Sequence, residues 1–551
     1  MGKNALFDKN LLALSEKNHK LSERVRRAET ARAAYTFLES RQGDKIPALV
    51  DPAGSARPLH SMVDPRKEAT RLISTVESES FLVLLGLGGG YYVEAALERD
   101  DIGVVLVVEY DLSGLAELFS EIDYTRFFRD ARFHLLADAC ESELRENILD
   151  LYQPALYGGI RVIPTRSRTV NEPNFIMATD AIQAAITRVS ADFSVQAHFG
   201  KRWFSNIVRN LKSAETARDD TPEIRRAAVT AAGSSLSAQI PALRQKRDGL
   251  FLIATDTSLP CLLHEKLTPD AVITIDCQHI SYHHFMAGFP DNTLLFLDLA
   301  SPPGFTRLTK NYRFFATDHP LTRYISRTWK ELPSLDVSGG NVTYAAISLA
   351  EQLGAREIEL YGADFACPNG VPYARGAYTY SVFAKKQSRL SPLEALASAF
   401  LYRVPLSKVR LSDDSWYYET GTLKFYREGL EEKSERMDAV IIPQPGFGAP
   451  MNVKKSTSIN TRDSSRNKFE RHSKPSMTAK EFLEFYRDKI AHLPKPGKNA
   501  AEYLASLREE DRALLATILP AAAALKQGSL NFAETLEATK AYCVSRIKAL
   551  P

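Results

Sequence analysis

Short apolar runs separated by polar turns recur through the middle of the chain. From Arg226 onward these runs are AAVTAAGSSLSAQI, LFLIATDTSLPCLL, PDAVITIDCQ, NTLLFLDLA and YRFFATD. Each run is rich in β-branched or aromatic residues, which is typical of strands buried on both faces of a sheet. Strands that alternate with helices form a parallel, doubly wound sheet. The pattern therefore predicts an α/β domain whose ligands bind at the carboxyl ends of its strands.

The segment from residue 335 to 367 predicts the last strand of this sheet and a turn that could hold a ligand. Its sequence is LDVSGGNVTYAAISLAEQLGAREIELYGADFAC. A helix over residues 342–353 would present unpaired N–H groups to a phosphate, and the strand at 357–361 delivers Asp364 and Phe365 to its carboxyl end. The turn before the helix consists of Ser338, Gly339, Gly340 and Asn341. Such a segment is either a ligand loop or a plain connection between helix and strand.

Polar residues follow several of the predicted strands. Because carboxyl ends of parallel strands meet at one edge, we expect these residues to line one crevice. Each could also cap its helix or bond turn amides. The residues are Gly233, Ser234, Ser235, Asp256, Thr257, Asp276 and Asp364.

Composition sets limits on the class of protein. A chain of 551 residues suggests about three domains. The 70 basic and 67 acidic residues leave a net charge of +3, which predicts no general affinity for nucleic acid. The five cysteines are scattered without zinc-site spacing, so we expect buried thiols and no metal. The absence of a signal peptide and of about 20 consecutive apolar residues predicts a cytoplasmic protein without a membrane span.

The amino-terminal third predicts helices followed by a βαβ unit. Residues 10–41 carry apolar positions at helical spacing. The later run FLVLLGLGGGYYVEAALERDDIGVVLVVEYD places a glycine turn after one strand and Glu109 at the end of the next. Two runs, ARFHLLAD and GIRVIPT, could add strands to the same sheet. The turn, with Gly86, Gly88, Gly89 and Gly90, is either a second nucleotide-type site or a turn kept for its shape.

Several of these blocks resemble a known family. TAAGSSL resembles the GxGPSL turn of the motility-associated factor (Maf) flagellin glycosyltransferases, and IATDTSLPCLLHEKLTPDAVITID resembles the segment that follows it. This domain type is shared with archaeal 6-hydroxymethylpterin pyrophosphokinases. SGGNVTYAAISLAEQLGAREIELYGADF is similar to a segment of bacterial CMP-sialic-acid sialyltransferases, and the GLGGGYY block is similar to the Maf amino-terminal domain. The chain departs from these patterns at Ala231, Ala232, Ser234 and Asp256 or Thr257.

The resemblance implies a reaction and roles for residues. The donor would be a CMP-activated nonulosonic acid, the acceptor a serine or threonine of flagellin, and no cofactor would be required. The phosphate would be held by the turn at 338–341 and by Tyr373, Tyr378, Tyr380 or Arg375 of the following loop. Its tyrosines could instead be packed down on the protein. The candidate bases are Asp364 and the histidines His279, His283 and His284, of which His279 is preferred. His279, His283 and His284 could also suggest a metal site, but no DxD pair is present.

The predicted domain plan has six parts. The last part could bind flagellin or a second copy of the chain. Two other functions of the whole chain stay open. One is a pyrophosphokinase that uses ATP and magnesium on a small alcohol, and the other is a non-catalytic flagellar assembly factor. The parts are a helical extension (1–60), a Rossmann-like domain (61–170), a glycosyltransferase-like central domain (171–385), a mixed extension (386–451), a flexible basic linker (452–476) and a helical bundle (477–551).

Overall fold

The structure is a computed structural model. It describes residues 2–28, 35–50, 54–76, 79–166, 172–411, 415–454, 469, 474–497, 499–526 and 531–550. The chain divides into two compact units, and each is described by itself. Unit 1 contains residues 1–201 and 490–544, and unit 2 contains residues 202–489 and 545–551.

Unit 1 is built around a parallel sheet of four strands in the order β6-β5-β4-β7. The two runs predicted to extend the βαβ sheet are its strands β6 and β7, which confirms that prediction. The elements to residue 216 are α1 (Gly2–Lys17), α2 (His19–Arg27), β1 (Tyr35–Glu39), β2 (Lys45–Val50), β3 (Ala56–Pro58), α3 (Pro65–Ile73), β4 (Glu79–Leu85), α4 (Tyr91–Leu97), β5 (Val104–Glu109), α5 (Leu112–Glu121), α6 (Thr125–Arg129), β6 (Phe133–Ala137), α7 (Glu141–Leu151), α8 (Pro154–Tyr157), β7 (Gly159–Pro164) and α9 (Glu172–Thr216).

The helical prediction for residues 10–41 is wrong at its end. Helix α2 stops at Arg27, and residues 35–39 form strand β1 instead. This strand pairs with β2 in an antiparallel sheet, where Leu38 lies opposite Ile46. The β-branched and aromatic residues of YTFLE fit that pairing, so the contact across strands overrides the local helical spacing.

Unit 2 contains a parallel sheet of seven strands in the order β12-β11-β10-β9-β8-β13-β17. The α/β prediction for the chain is therefore confirmed, and the core of this unit lies between the sheet and helix α13. The elements are β8 (Arg226–Thr230), α10 (Leu236–Gln245), β9 (Phe251–Thr255), α11 (Leu259–His264), β10 (Ala271–Thr274), β11 (Leu294–Asp298), β12 (Tyr312–Phe315), α12 (Pro320–Thr328), α13 (Val342–Gln352), β13 (Glu357–Tyr361), β14 (Cys367–Pro368), α14 (Tyr378–Lys386), α15 (Leu393–Leu401), β15 (Ser407–Arg410), β16 (Trp416–Glu419), α16 (Gly421–Arg436), β17 (Val440–Pro443) and α17 (Ala479–Ala491).

The carboxyl-terminal helices are divided between the two units. Most of α17 belongs to unit 2, whereas α18 (Ala500–Ser506), α19 (Glu509–Leu525) and most of α20 (Phe532–Lys548) belong to unit 1. Of the linker predicted at 452–476, residues 455–468 and 470–473 lie outside the described residues.

The cysteines differ from expectation at one position. Four are buried, but Cys140 is exposed because it stands at the solvent-facing start of helix α7. Within the described part of the chain, no helix is both long and apolar enough to cross a membrane.

Candidate functional site

The order of the strands in unit 2 creates a switch point beside β8. The chain runs outward from β8 through β9, β10 and β11 to β12, and then returns to place β13 on the other side of β8. In open parallel sheets, ligands bind outside the carboxyl ends of strands at such a point. The strands are in register there, since Thr230 lies opposite Tyr361.

Asp364 joins the two strand ends at the switch point. Its Oδ2 accepts hydrogen bonds from the backbone N–H of Ser235 at 2.9 Å and from the hydroxyl of Ser234 at 3.3 Å. The N–H of Gly233 donates to the carbonyl of Gly362 at 2.8 Å. Burial raises the pKa of the Asp364 carboxyl, although these donors oppose the shift. The structure therefore brings Asp364 and the Gly233–Ser235 turn together, with the carboxylate engaged in holding that turn.

A Cβ atom at Gly233 would lie 2.7 Å from the Asp364 carboxyl carbon and 2.4 Å from the Gly362 carbonyl oxygen. Only glycine therefore allows the turn after β8 to approach β13 so closely. Gly233 is therefore required by the shape of the turn, whether or not a ligand binds there.

The carboxylates after β9 and β10 hold their own loops. Asp256 is buried, and it accepts hydrogen bonds from the Thr257 N–H at 2.7 Å and the Thr274 hydroxyl at 2.6 Å. Asp276 accepts from the Gln278 N–H at 2.9 Å and the Ser281 hydroxyl at 2.7 Å. Asp276 thereby fixes the start of the 3₁₀ helix His279–Phe285, which carries all three histidines.

His284 lies inside the site. It is 8% exposed, and its buried Nδ1 has no hydrogen-bond partner. Its ring meets the edge of Tyr378, with centroids 4.7 Å apart. Burial raises the pKa of Asp256, and the proximity of His284 opposes that shift. Asp256, Asp276, His284, Tyr373 and Tyr378 are called the acid–histidine–tyrosine cluster below.

The tyrosines reach this cluster from the loop after β13. The Tyr373 and Tyr378 rings have centroids 6.2 Å apart, and burial raises the pKa of Tyr373 to about 12. The loop is anchored over β8, because the Ala374 N–H donates to the Ala232 carbonyl at 2.9 Å. The hydroxyls of Tyr373 and Tyr378 stay protonated at neutral pH, so each can donate a hydrogen bond to an anion.

Other candidates lie outside the cluster. His279 is exposed, and its ring faces Tyr282 with centroids 6.1 Å apart. Arg375 is also exposed, and its N–H donates to the Ser237 hydroxyl at 3.3 Å. Phe365 is buried in the hydrophobic core of the sheet.

The turn at 338–341 lies at the carboxyl edge of the sheet. The Leu353 carbonyl at the end of α13 accepts from Ile224, just before β8, so α13 ends at the amino edge and begins at the opposite one. Asn341 caps the helix by accepting from the Tyr344 N–H at 3.0 Å. Ser338 contacts the Tyr344 hydroxyl at 3.2 Å and donates its N–H to Asp336 at 2.9 Å. Gly339 is likewise packed against the helix, since a Cβ there would lie 2.1 Å from the Tyr344 ring.

In unit 1, protein groups occupy the glycine turn after β4. The fully buried Glu109 accepts from the N–H groups of Leu87 at 3.1 Å and Tyr110 at 2.9 Å. The Gly89 N–H donates to His60 Nε2 at 2.9 Å, and the Gly88 carbonyl accepts from Tyr124 at 2.7 Å. The amides that would meet a cofactor are thus used inside the protein.

Three features of the site were not identified from the sequence. Asp298, at the end of β11, is 6% exposed, and burial raises its pKa to about 7. The loop after β17 crosses the switch point, because the Phe447 N–H donates to Ser235 Oγ at 2.8 Å. The burial of His284 was equally hidden. A search for strand ends with acidic residues could have found only Asp298. Among the described residues, no three His, Cys, Asp or Glu side chains group as a metal site would require.

Comparisons with known proteins bear on this geometry. Residues 201–370 match the family model "6-hydroxymethylpterin diphosphokinase MptE-like". An uncharacterised protein of Treponema pallidum (strain Nichols) is 31% identical over 188 residues, which cover 32% of this chain and 86% of the relative. A second protein of that organism is 38% identical over 126 residues, which cover 22% of this chain and 45% of the relative.

One solved structure matches nearly the whole chain. It is the MAf glycosyltransferase from Magnetospirillum magneticum AMB-1, with a TM-score of 0.60 at 15% identity, and the match covers 99% of this chain and 90% of the other. The chain therefore belongs to one family with the 31% identical treponemal protein, contains an MptE-like domain and has the fold of the Maf glycosyltransferase.

Proposed function

We propose that this protein is a glycosyltransferase that moves a sugar from a nucleotide-activated donor to a hydroxyl group. The observation that carries the proposal is the acid–histidine–tyrosine cluster at the carboxyl edge of the central sheet, in a chain that has the Maf fold. A cluster with a buried histidine and protonated phenols offers a proton acceptor and anion donors side by side.

The finer proposal concerns the two substrates. The donor is a CMP-activated nonulosonic acid, and the acceptor is a serine or threonine of flagellin. The Maf resemblance supports both assignments, and the donor itself supplies the activated group, so we propose no resident cofactor. We propose that the reaction takes place in the cytoplasm.

The chemistry follows from the positions of the side chains. The bond between the anomeric carbon and the phosphate oxygen breaks through an oxocarbenium-like state, and a new bond forms to the acceptor oxygen. In this account His284 takes the acceptor's proton, the role that the sequence suggested for His279. The hydroxyls of Tyr373 and Tyr378 donate to the departing phosphate, and CMP leaves.

Asp364 has a positioning role in this proposal. Its Oδ2 accepts two hydrogen bonds from the turn after β8, so this oxygen holds the turn in place. Its contribution is to hold the two strand ends together beside the donor.

A second candidate function is a diphosphokinase. The description of the family model that matches residues 201–370 favours it. In that reaction the hydroxyl oxygen of a small alcohol would form a bond to the β-phosphorus of ATP, the bond between the α- and β-phosphates would break, and AMP would leave.

Intact mass spectrometry separates the two functions. Full-length protein is incubated with flagellin and a CMP-activated nonulosonic acid, with a control lacking the donor. We expect flagellin to gain whole sugar masses only when the donor is present. Unmodified flagellin, together with AMP release from ATP and magnesium in the presence of a hydroxymethyl pterin, would instead support the diphosphokinase.

A further inference from the structure

The loop that follows β17 lies directly over the switch point. Residues 444–449, called the strap, make four hydrogen bonds there with Gln239, Ser235 and Asp364. Gln239 Nε2 donates to the carbonyls of Gln444 at 3.2 Å and Pro445 at 2.8 Å. The Phe447 N–H donates to Ser235 Oγ at 2.8 Å, and the Ala449 N–H donates to the Asp364 carbonyl at 2.9 Å.

Two glycines allow this close contact. A Cβ at Gly446 would lie 2.8 Å from Ser235 Oγ, and a Cβ at Gly448 would lie 2.4 Å from Asp364 Cα. Real Cβ atoms do not approach other atoms so closely, so both positions require glycine for the strap to rest on the switch point. The backbone of the strap is therefore held in one place relative to the turn after β8.

Phe447 stands between these glycines with its side chain largely in solvent. The residue is 58% exposed, while the serine that accepts its N–H is fully buried. Isolated exposed apolar side chains are common on protein surfaces. Phe447 differs from them because its backbone is hydrogen-bonded at the ligand-binding edge of the sheet, beside the Gly233–Ser235 turn.

We propose that Phe447 is the ring on which the base of the nucleotide-activated donor stacks. The inference rests on the proposed function and names a contact of the same site. Aromatic side chains bind bases through their faces, and removal of such a ring weakens binding by about 5-fold to 150-fold per base. Because a hydrogen bond already fixes the backbone of Phe447, little main-chain freedom is lost when the base binds, which favours affinity.

Calorimetry with CMP tests this contact in the full-length protein. We expect Phe447→Ala to weaken CMP binding by about 5-fold to 150-fold, and Phe447→Tyr, which keeps the ring, to bind nearly as the native protein does. Phe425→Ala is the matched control, because Phe425 is 63% exposed on helix α16 and lies outside the strap. Its CMP affinity should not change.

A fluorescent variant gives a second readout. Phe447→Trp places an indole at the same position, and stacking of the base should quench its emission beyond any change in the native protein. Quenching together with the loss in Phe447→Ala supports the contact.

These experiments distinguish failure of the Phe447 contact from failure of the proposed glycosyltransferase function. CMP binding that depends on Phe447, without sugar transfer, supports the stacking contact and removes the glycosyltransferase assignment. Sugar transfer with equal CMP affinity in the native protein and Phe447→Ala removes the contact alone. Failure of the native protein to bind CMP, or equal losses in Phe447→Ala and Phe425→Ala, would also overturn the contact.

Discussion

Two histidines of one 3₁₀ helix lie in different surroundings. His284 is buried against Tyr378, whereas His279 is exposed at the start of the helix. A base must reach the proton that it removes, and of these two histidines only His284 lies in the acid–histidine–tyrosine cluster. His283 of the same helix is half-buried, with its ring centroid 6.4 Å from that of Tyr378. The geometry of single side chains therefore distinguishes residues that the sequence left equivalent.

Replacement of His284 should act on the chemical step. We expect His284→Ala to lower kcat for sugar transfer by about 10²-fold to 10⁴-fold, because it removes the proton acceptor. His279→Ala is the control and should keep native kcat. Steady-state assays with saturating donor measure both, and a native kcat in His284→Ala would contradict the assignment.

Asp298 should make stability depend on pH. Burial raises its pKa from 3.8 to about 7, so the folded protein holds a proton there that the unfolded chain has released between those values. Stability is therefore lost as pH rises through this window. Asp298→Asn keeps the oxygen that can accept from Ala300 and removes the charge.

Urea unfolding at pH 5 and pH 8 checks this sign. The stability of Asp298→Asn relative to the native protein should increase from pH 5 to pH 8, with an upper limit of about 3 kcal/mol, because about two pH units of the shift lie above pH 5. Exposed Asp291→Asn should give the same difference at both pH values. A pH-independent difference for Asp298→Asn would show that its carboxyl titrates normally.

The sequence could predict which polar residues follow the strands, but not whether each carboxylate is free or hydrogen-bonded. The sequence pattern predicts parallel strands, and it therefore predicts that the residues after them, Asp256, Asp276 and Asp364, lie at one edge of the sheet. Whether a carboxylate is free or already bonded depends on partners distant in sequence, such as Ser235 for Asp364. The same holds for the burial of His284, which depends on Tyr378.

At the scale of elements, the glycine turn after β4 is a tightly packed part of unit 1. Gly90 has a φ of 81°, and a Cβ there would lie 2.7 Å from the Phe127 ring. Gly54 has a φ of 82°, but a Cβ there would enter open space. The two glycines therefore separate the cost of backbone conformation from the cost of crowding.

We expect Gly54→Ala to lower the free energy of unfolding by about 1–2 kcal/mol, through left-handed backbone strain alone. Gly90→Ala should lose about 1–3 kcal/mol more, because its methyl group must displace an aromatic ring. Thermal or urea unfolding measures the difference, and CMP binding should survive in both variants. Equal losses of stability would show that the turn has room for a ligand.

Local pattern predicted the central elements well. The strand at 357–361 has the predicted bounds, and α13 ends one residue before its predicted end, since a buried apolar run and a glycine turn are local signals. Strand β17 and the three-stranded sheet at residues 35–58 depend on pairing with distant segments. Short strands of this kind carry little periodicity of their own.

At the scale of the whole molecule, the two units use their glycine turns differently. In unit 1 the turn is held by Glu109, His60 and Tyr124, whereas in unit 2 the turn after β8 adjoins a strap with an exposed aromatic ring. We therefore assign the donor nucleotide to unit 2 alone.

A crystal structure of the full chain with CMP tests this assignment most directly. We expect the nucleotide at the carboxyl edge of the seven-stranded sheet, with its base on Phe447 and its phosphate near the hydroxyls of Tyr373 and Tyr378. A nucleotide bound instead at the Gly86–Gly90 turn of unit 1 would contradict it.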